Sequence, residues 1–402
     1  MRKILTFSLA YLPYIGGAEI AIKEITDRLD PAEFEFHVVT LRFDSSWPKK
    51  EKIGNVVIHR IGAGKKNASV GTTFTPLFYV SKIFFIPLAA LKGRELHKTE
   101  TFDAVWAMMA YMVFPIVIMR FFGIRLPYVL TLQEGDTFER QFGRARLLLF
   151  MPLLDWGFRQ ANVVQAISHF LGEWARRRGF EGSLEIVPNG VDGKKFSAEI
   201  SPDEKAALRR KYGFAASDKI LLTISRLVPK NGVDLVIRAL SNLPQSVKLL
   251  IVGDGPDRKD LQLLAQELGV ADRVVFTGHI DNAELPRYLH TSDIFIRASR
   301  SEGQGIAFIE AMAAGIPVVA PQVGGISDFL FDAERNPEHE PTGFAIDPES
   351  PSSVVEVVQR LINDPLRASQ VAHKAQQMVL KEYDWDKIAE EMRDRVFMQI
   401  LK

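Results

Sequence analysis

Short apolar runs rich in β-branched and aromatic residues alternate with amphipathic segments along the whole chain. The first run is KILTFSL, which predicts a strand, and AEIAIKEITDRL follows with apolar residues at helical spacing. Further strand runs are FHVVTLR, DAVWAMM, YVLTLQ, VVQAIS and LEIVP. Strands that alternate with helices in this way predict an α/β fold in which parallel strands are joined by helical crossovers.

A second series of strand runs begins at KILLTISRL and continues through VKLLIVGDG, RVVFTGHI, IFIRAS, IPVVAPQ and GFAID. The two series are separated by residues 189–219, a polar and turn-rich segment with one charged helix. We therefore predict two domains of similar size, over residues 1–195 and 196–384. The last helix, residues 385–402, must pack on something, because three apolar side chains share one face: Ile388, Met392 and Phe397.

The composition is that of an ordinary globular protein, with 402 residues, 47% of them hydrophobic and 25% charged. Residues 1–195 carry 26 Lys and Arg against 19 Asp and Glu, whereas the remainder carries 24 against 30. A basic first half suits anionic lipid or phosphate. No nucleic-acid partner is expected. The lack of cysteine excludes disulfides and thiolate metal sites.

The first residues, MRKILTFSLAYL, superficially mimic a secretory signal. Thr6 and Ser8 interrupt the apolar run, so a first β-strand is the better interpretation and we expect a cytoplasmic protein. The apolar stretch Leu77–Leu91 contains Lys82 and Pro87. It is shorter than the about 20 residues that a bilayer span needs, so no transmembrane helix is predicted.

Two glutamates separated by seven residues, Glu302 and Glu310, occur in RSEGQGIAFIEAM between a predicted strand and helix. Free backbone N–H groups at a helix start, with glycines that permit close approach, suit a phosphate. Glu310 lies about two turns further on, within roughly 80° of the same side, so one ligand could contact both acids. Alternatively, Ser301 and Gln304 form a capping box and Glu310 is a solvated helix residue.

Arg226 and Lys230 occur in SRLVPKNGVDLVIRAL, between a strand and the next helix. Two cations four residues apart suit a diphosphate, although a solvated surface pair is the alternative. The turn VGDGP carries little meaning alone. All three loops follow the carboxyl ends of strands, where ligands bind in open α/β sheets. Together they predict a site for a nucleoside diphosphate.

These motifs resemble the retaining glycosyltransferases of family 4, which have the GT-B fold. The resemblance covers nearly the whole chain, from YIGGAE through VPNGVD, SRLVPKNGVD, VGDGP, VVFTGHI and EGQGIAFIEAMAAGIPVVA to VGGISDFL and TGFAI. It implies two Rossmann-like domains that face each other across a cleft. The N-terminal domain, braced by the final helix, would bind the acceptor and the C-terminal domain the donor.

By resemblance, Arg226 and Lys230 form the diphosphate clamp, Glu302 contacts the transferred sugar, and Glu310 holds the ribose hydroxyls. Further donor contacts are implied for the residues Gly303, Gln304, Gly305 and Ile306, and for Ile280 at the base. Gly16 and Gly17 resemble a glycine pair beside the diphosphate and acceptor, although a plain strand-to-helix turn is the alternative.

Three positions depart from the family pattern. Gln304 stands where an aromatic residue is usual, and Asp328 where Glu is common. In TLQEGD, Gln133 and Glu134 stand where many relatives have a histidine. Gln133 cannot titrate, whereas Glu134 could orient or deprotonate the attacking hydroxyl, so Glu134 joins the catalytic candidates. Alternatively, Glu134 and Asp136 are ordinary acids that cap the next helix.

The predicted activity is metal-independent, retaining transfer from a UDP- or GDP-linked sugar to a glycan or lipid-linked acceptor, in cell-surface polysaccharide or glycolipid synthesis. No cofactor is expected. The only Asp-x-Asp sequence, Asp384–Asp386, is better interpreted as a helix cap with a packing Trp. A sugar-nucleotide epimerase of the same fold would need a base and an acid near the sugar carbon. A catalytically silent sugar-nucleotide or glycan-binding protein would bind without turnover.

Two segments of the basic half mix apolar and cationic residues: residues 78–96, with Lys82, Lys92 and Arg94, and residues 143–159, with Arg144 and Arg146. Such segments suit helices that lie in an anionic membrane interface, on the inner face of the membrane. The alternative is that both are core helices of the first domain.

Overall fold

The computed structural model describes residues 1–13, 16–66, 76–143 and 145–401, with the side chains of 76–80 and 145–147 left out. The chain forms two compact units. The first comprises Met1–Asn189 and Trp385–Lys402, and the second comprises Gly190–Asp384. Each unit has its own sheet of mainly parallel strands, so the predicted α/β class is confirmed.

The first unit is built on eight strands in the order β3-β4-β2-β1-β5-β6-β7-β8. These are β1 Arg2–Phe7, β2 Phe34–Leu41, β3 Lys50–Ile53, β4 Val56–Ile61, β5 Ala104–Met108, β6 Tyr128–Leu132, β7 Val163–Ala166 and β8 Ser183–Ile186. Its first six helices are α1 Gly17–Arg28, α2 Pro76–Glu100, α3 Val113–Phe121, α4 Phe138–Phe142, α5 Met151–Arg159 and α6 His169–Arg177. β1 pairs in parallel with both β2 and β5, so the strand order reverses around β1.

The second unit has six parallel strands in the order β11-β10-β9-β12-β13-β14. These are β9 Lys219–Ile224, β10 Val247–Val252, β11 Val274–Gly278, β12 Ile294–Ile296, β13 Val318–Pro321 and β14 Phe344–Ile346. Its helices are α7 Gly193–Ser197, α8 Pro202–Lys211, α9 Val233–Leu240, α10 Arg258–Glu267, α11 Leu285–Thr291, α12 Ile306–Ala313, α13 Pro351–Asn363 and α14 Pro365–Glu382.

The chain then returns to the first unit through α15 (Trp385–Glu391), a π-helical turn (Met392–Phe397) and α16 (Met398–Ile400). Ile388, Met392 and Phe397 are at most 1% exposed and pack in the same core as β1, β2 and β5. The expected packing of this apolar face is therefore confirmed.

Each strand run predicted from the sequence contains a strand, but the hairpin β3–β4 was not predicted. β3 has the sequence KEKI and pairs antiparallel with β4 at the sheet edge, half exposed. Its charged residues conceal the alternation that indicates a strand. In the described parts of the chain, no helix combines the length and the apolarity that a membrane crossing requires.

Candidate functional site

A glycine turn between β12 and α12 shapes the loop that carries both predicted glutamates. Gly305 is the residue before α12 and has φ 91°, and no side chain caps this helix start. A Cβ at Gly305 would lie 2.5 Å from the ring of Phe308. Only glycine suits this close, left-handed turn. Because the helix begins after Gly305, Ser301 is not its N-cap, and the capping-box alternative is wrong.

Glu302 lies at the mouth of this helix beside a buried arginine. Arg297 Nη2 donates to Glu302 Oε2 at 2.5 Å, and the two side chains are 7% and 13% exposed. Arg297 also donates from Nε to Ser299 and from Nη1 to the carbonyl of Ile224, and it lies over the Phe308 ring. This network fixes the Glu302 carboxylate in the loop after β12. There the carboxylate can accept hydrogen bonds from the hydroxyl groups of a ligand.

Glu310 is 6% exposed inside an otherwise apolar helix, so it is not the solvated residue of the alternative interpretation. Asn282 Nδ2 lies 3.4 Å from its Oε1, and Lys195 Nζ donates to the Asn282 carbonyl at 2.7 Å. Burial raises the pKa of Glu310 to about 7, which Lys195, Asn282 and Arg297 partly oppose. Burying a carboxyl group costs free energy unless it is well hydrogen-bonded, so this position suits a ligand with hydroxyl donors.

The loop after β9 carries Arg226 and Lys230 beside the Glu302 loop, because β9 and β12 are neighbouring parallel strands. The backbone of this loop is tied down. Asn231 Nδ2 donates to the Arg226 carbonyl at 2.6 Å, and the Arg300 N–H donates to the Lys230 carbonyl at 2.7 Å. Arg226 is exposed and Lys230 half-buried. Both cationic side chains thus extend from a hydrogen-bonded loop at the carboxyl edge of the sheet.

The turn VGDGP packs directly on that loop. A Cβ at Gly253 would lie 1.9 Å from the carbonyl oxygen of Ser225, and one at Gly255 would lie 2.2 Å from that of Leu227. The glycines therefore allow the loops after β9 and β10 to touch. The packing supports the position of Arg226 but does not by itself indicate a ligand.

The remaining predicted donor contacts of the second unit lie on the same sheet edge. Gly303 and Gln304 are buried in the β12–α12 loop, and Ile306 is the first residue of α12. Ile280 follows β11 and packs against the core that contains Phe308. The loop after Ile280 carries Asn282 to Glu310. Which of these groups bind a donor stays a prediction.

Gly16 and Gly17 belong to the first unit, at the start of α1. Gly16 has an extended backbone, with φ −142°, so its conformation does not demand glycine. A Cβ there would lie 2.5 Å from a carboxylate oxygen of Glu19, a flexible side chain. Glu19 is buried and its own N–H and that of Gly16 stabilise its carboxylate, although burial raises its pKa to about 7. This local arrangement fits a strand-to-helix turn.

Glu134 and Gln133 follow β6 in the first unit, and their side chains differ in surroundings. Glu134 is 4% exposed and accepts the N–H of Ala110 at 2.6 Å and that of Gln133 at 3.0 Å. Burial raises the pKa of Glu134 to about 7, against these backbone bonds. Gln133 Nε2 donates to Asn189 Oδ1 at 3.0 Å.

Thr137 caps α4, so the alternative that Glu134 or Asp136 provides this cap is wrong. A catalytic role for Glu134 stays a prediction.

The sequence alone did not indicate four residues that organise the site: Lys195, Asn282, Arg297 and Arg300. Arg300 forms a bidentate ion pair with Asp234, with hydrogen bonds of 2.8 and 2.9 Å. The sequence does contain one sign that Arg297 has a role, because it is a cation in the otherwise apolar run IFIRAS. Nothing in the sequence indicates that Asn282 meets Glu310.

One group of the described residues has metal-ligand geometry. Oxygen or nitrogen atoms of Glu35, His37 and Glu100 lie within 4.8 Å of one another. Lys3 Nζ lies 2.7 Å from Glu100 and 3.5 Å from Glu35, so both acids already have an ammonium group as ion-pair partner. Lys3 and Glu35 lie near the amino ends of β1 and β2, away from the sheet edge where ligands are expected.

The sequence Asp384–Asp386 includes Trp385. This side chain is 3% exposed, as its predicted packing role requires.

Two family models match the chain. The model described as Glycosyltransferase Family 4 matches residues 15–195, and the model described as Glycosyl transferases group 1 matches residues 204–379. Together these matches include most of both units.

Among curated relatives, the GDP-mannose-dependent alpha-(1-6)-phosphatidylinositol monomannoside mannosyltransferase of Mycolicibacterium smegmatis is 35% identical over 236 residues. The match covers 56% of this chain and 59% of the relative, so the chain spans about three fifths of the relative's length. The N-acetyl-alpha-D-glucosaminyl L-malate synthase of Bacillus anthracis is 25% identical over 408 residues, with 99% of this chain and 98% of the relative covered.

Among solved structures, sucrose-phosphate synthase from Thermosynechococcus elongatus superposes with a TM-score of 0.83 at 21% identity. The superposition covers 100% of this chain and 99% of that one. The likeness shows a shared fold, and the predicted GT-B class is confirmed.

Proposed function

We propose, because the chain belongs to glycosyltransferase family 4, that it transfers a sugar from a nucleoside-diphosphate sugar, UDP- or GDP-linked, to a glycan or lipid-linked acceptor. The second unit would bind the donor and the first unit the acceptor. The product would serve cell-surface polysaccharide or glycolipid synthesis, in line with the names of the mannosyltransferase relatives.

One observation carries the proposal most directly. Glu310, a buried carboxyl group in an apolar helix, lies with Asn282 and Lys195 at the carboxyl edge of a parallel sheet. On the same edge are Glu302 and the two cations of the β9 loop. Acids that can bind hydroxyl groups, beside cations that can bind phosphate, match the sugar and ribose hydroxyls and the diphosphate of a sugar nucleotide.

In the proposed reaction, the bond between the sugar carbon and the diphosphate oxygen breaks, and the acceptor oxygen bonds to that carbon on the same face. The acceptor hydroxyl proton passes to the departing diphosphate. Negative charge develops on this diphosphate, and Arg226, Lys230 and the N–H groups at the start of α12 would stabilise it electrostatically. We propose that these groups perform this task without a metal ion.

The two glutamates provide the test of this assignment. Glu310→Gln should weaken the binding of the sugar nucleotide, because a ribose-binding carboxylate is lost. Glu302→Gln should mainly lower turnover, because its contact is with the sugar that changes in the transition state. Glu267→Gln, at an exposed position of α10 in the same unit, is the matched control.

The measurements are thermal shifts with a panel of nucleotide sugars, followed by product analysis with and without acceptors. A ligand that binds the native state raises its unfolding temperature. Conversion of the sugar nucleotide without acceptor would instead identify an epimerase, and binding with no turnover for any acceptor would identify a silent binding protein. Reversible loss of activity in EDTA would contradict the metal-independent mechanism, and an inverted product would contradict retention.

We also propose that α2 docks the first unit on an anionic membrane surface. One side of α2 is buried through Phe85 and Ala89, but the opposite side is apolar and exposed. Its exposed residues are Ile83 at 69%, Phe84 at 60%, Leu88 at 45% and Leu91 at 47%. A simple core helix would bury such residues, so the core-helix alternative does not account for this side of α2.

Cations are also present on this helix, and an anionic lipid surface attracts them. Lys82, Lys92 and Arg94 lie on the same helix, and the Arg94 guanidinium covers the ring of Phe122. A second exposed apolar group is Leu148–Phe150, before α5. Arg144 and the side chain of Arg146, which the sequence also indicated, lie outside the described residues.

Flotation with anionic and with neutral vesicles tests this docking. The native protein should float with anionic vesicles at low salt. The double variant Phe84→Ser, Leu88→Ser should float less, whereas Leu366→Ser, which removes a 78% exposed leucine of the second unit, should behave as wild type. Absence of wild-type flotation on anionic vesicles would contradict the proposal.

A further inference from the structure

Met109, the residue that follows β5, has a backbone conformation that other residues avoid. Its φ is 75° and its ψ is 154°, a region that is essentially restricted to glycine. The described chain has two other non-glycine residues with positive φ, Thr101 and Glu349. Strain of this kind persists only where surrounding contacts impose it, and it concentrates at functional sites.

Two buried groups impose this conformation. The Met109 N–H donates to the carbonyl of Thr131 at 2.8 Å, and the next N–H, that of Ala110, donates to Glu134 Oε1 at 2.6 Å. The other oxygen of Glu134 accepts the N–H of Gln133, so its carboxylate joins the loops after β5 and β6. Ala110 and Thr131 are fully buried and Glu134 is 4% exposed. These bonds therefore form away from water, where a charged acceptor holds an N–H most strongly.

The position of Met109 in the sheet indicates what it contacts. β1 pairs with β2 on one side and with β5 on the other, so the strand order of the first unit reverses between β1 and β5. Ligands of open parallel sheets bind beyond the carboxyl ends of strands at such a reversal. Met109 stands at that end of β5 and is 36% exposed, whereas Met108 and Ala110 on either side are buried.

We infer that Glu134 is a positioning residue rather than a base, and that it holds the turn Met109–Met112 so that the Met109 side chain contacts the acceptor. The inference rests on the proposed function for the nature of the ligand. It assigns the acceptor an apolar patch next to the reacting hydroxyl, since a flexible thioether side chain packs against apolar groups.

The test is a double-mutant cycle of Glu134→Gln and Met109→Gly. The unfolding temperature and the steady-state kinetics are measured for each variant. Glu134→Gln should lower the unfolding temperature, because an amide cannot accept both N–H groups. Glycine adopts the turn without strain, so Met109→Gly should raise that temperature. The loss due to Glu134→Gln should be larger in the Met109→Gly background than in wild type, because release of the Met109 strain no longer offsets the lost hydrogen bonds.

The kinetic measurements separate positioning from catalysis. Met109→Gly should raise the acceptor KM by about tenfold with little change in kcat, the pattern expected when a ground-state contact is removed. Met109→Leu, which retains an apolar side chain, should stay close to wild type, and so should Glu139→Gln, an exposed acid on α4. In Glu134→Gln the acceptor KM should also rise, and saturating acceptor should restore most of the turnover.

Two outcomes would overturn the inference. A kcat reduced about a hundredfold in Glu134→Gln at saturating acceptor, in both backgrounds, would show that Glu134 handles a proton. Additive effects on the unfolding temperature would show that Glu134 does not hold Met109. Failure of the wild type to transfer any sugar would contradict the proposed function alone, because the unfolding-temperature cycle needs no substrate.

Discussion

Arg226 and Lys230 extend from a loop that the Asn231 amide and the Arg300 N–H hold in place. Replacing either cation with Ala should remove one charge-assisted hydrogen bond to the diphosphate, worth about 1.5–3 kcal/mol. The dissociation constant of a nucleoside diphosphate should therefore rise by roughly 10- to 150-fold. Arg238→Ala, at an exposed position of α9, is the matched control. Calorimetric titration measures these dissociation constants. Unchanged affinity in both variants would refute the proposed diphosphate clamp.

We expect donor binding to depend on pH through Glu310. Its pKa is about 7 because burial disfavours the ionised form, and the ionised form is the better acceptor for ribose hydroxyls. Protons should therefore compete with the donor, and affinity should fall by up to about tenfold per pH unit below 7.

The pH effect should disappear in Glu310→Gln, which cannot titrate. An intact sugar nucleotide is the appropriate ligand, because a free nucleoside diphosphate has a terminal phosphate that titrates with a pKa of about 6. Affinities of both proteins measured from pH 5.5 to 8.5 provide the comparison. Equal pH profiles for wild type and Glu310→Gln would mean that another group controls the binding.

Residue identities at the site were predictable only where a local motif carries them. The spacing of Glu302 and Glu310, and the loop with Arg226 and Lys230, follow from strand–turn–helix patterns. The partners Arg297 and Asn282 did not, because their positions depend on how β12 and the loop after β11 pack against α12. The burial of Glu134 is of the same kind, since its contact with Ala110 joins loops 24 residues apart.

At the scale of an element, α12 depends on the glycine before it. Gly305→Ala meets two obstacles, a left-handed φ of 91° and a Cβ position 2.5 Å from the Phe308 ring. We expect the variant to be destabilised by more than about 1 kcal/mol, and its donor affinity to fall because the N–H groups at the helix start move. Chemical denaturation and donor titration measure the two effects.

Gly269→Ala is the control that isolates the steric part of the Gly305→Ala effect. Gly269 also has a positive φ, 66°, but no neighbouring atom lies within 4 Å of the position that a Cβ would occupy there. It should therefore show only the cost of the backbone conformation, with normal donor binding. Equal destabilisation of the two variants would show that contact with Phe308 does not matter.

Periodicity predicted the buried strands well and the edge elements poorly. The central strands β1, β5, β9 and β10 are almost wholly buried, so their apolar runs are unmistakable. β3 was missed because half-exposed lysine and glutamate residues fill it. The π-helical turn within the last helix was also not predicted. Its extra residue lets Phe397, five residues after Met392, share a face with Met392 and Ile388, which a regular α-helix would not allow.

At the scale of the whole molecule, the first unit is built from two distant parts of the sequence. The chain leaves this unit after Asn189 and returns at Trp385, and the returning helix supplies part of the core. The apolar face of this helix was predictable from residue spacing. Its partner was not predictable from periodicity, because spacing shows that a face is buried but not against which domain.

Phe397 tests this arrangement. It is fully buried, and its ring centroid lies 5.1 Å from that of Trp106 and 5.8 Å from that of Phe36. Phe397→Ala should destabilise the first unit by about 3–5 kcal/mol, the usual cost of removing a buried phenyl ring. The second unit does not share this core, so its nucleotide affinity should stay within about twofold, a change of less than about 0.5 kcal/mol.

Hydrogen exchange resolved by segment is the measurement that separates the two units. Protection should fall across β1, β2 and β5 of the Phe397→Ala variant and stay unchanged across β9, β10 and β12. Leu380→Ala, which truncates a 37% exposed side chain on α14, should change neither set by much. Equal loss of protection in both units would mean that they unfold as one cooperative body, because a cavity in one core would then be felt throughout the chain.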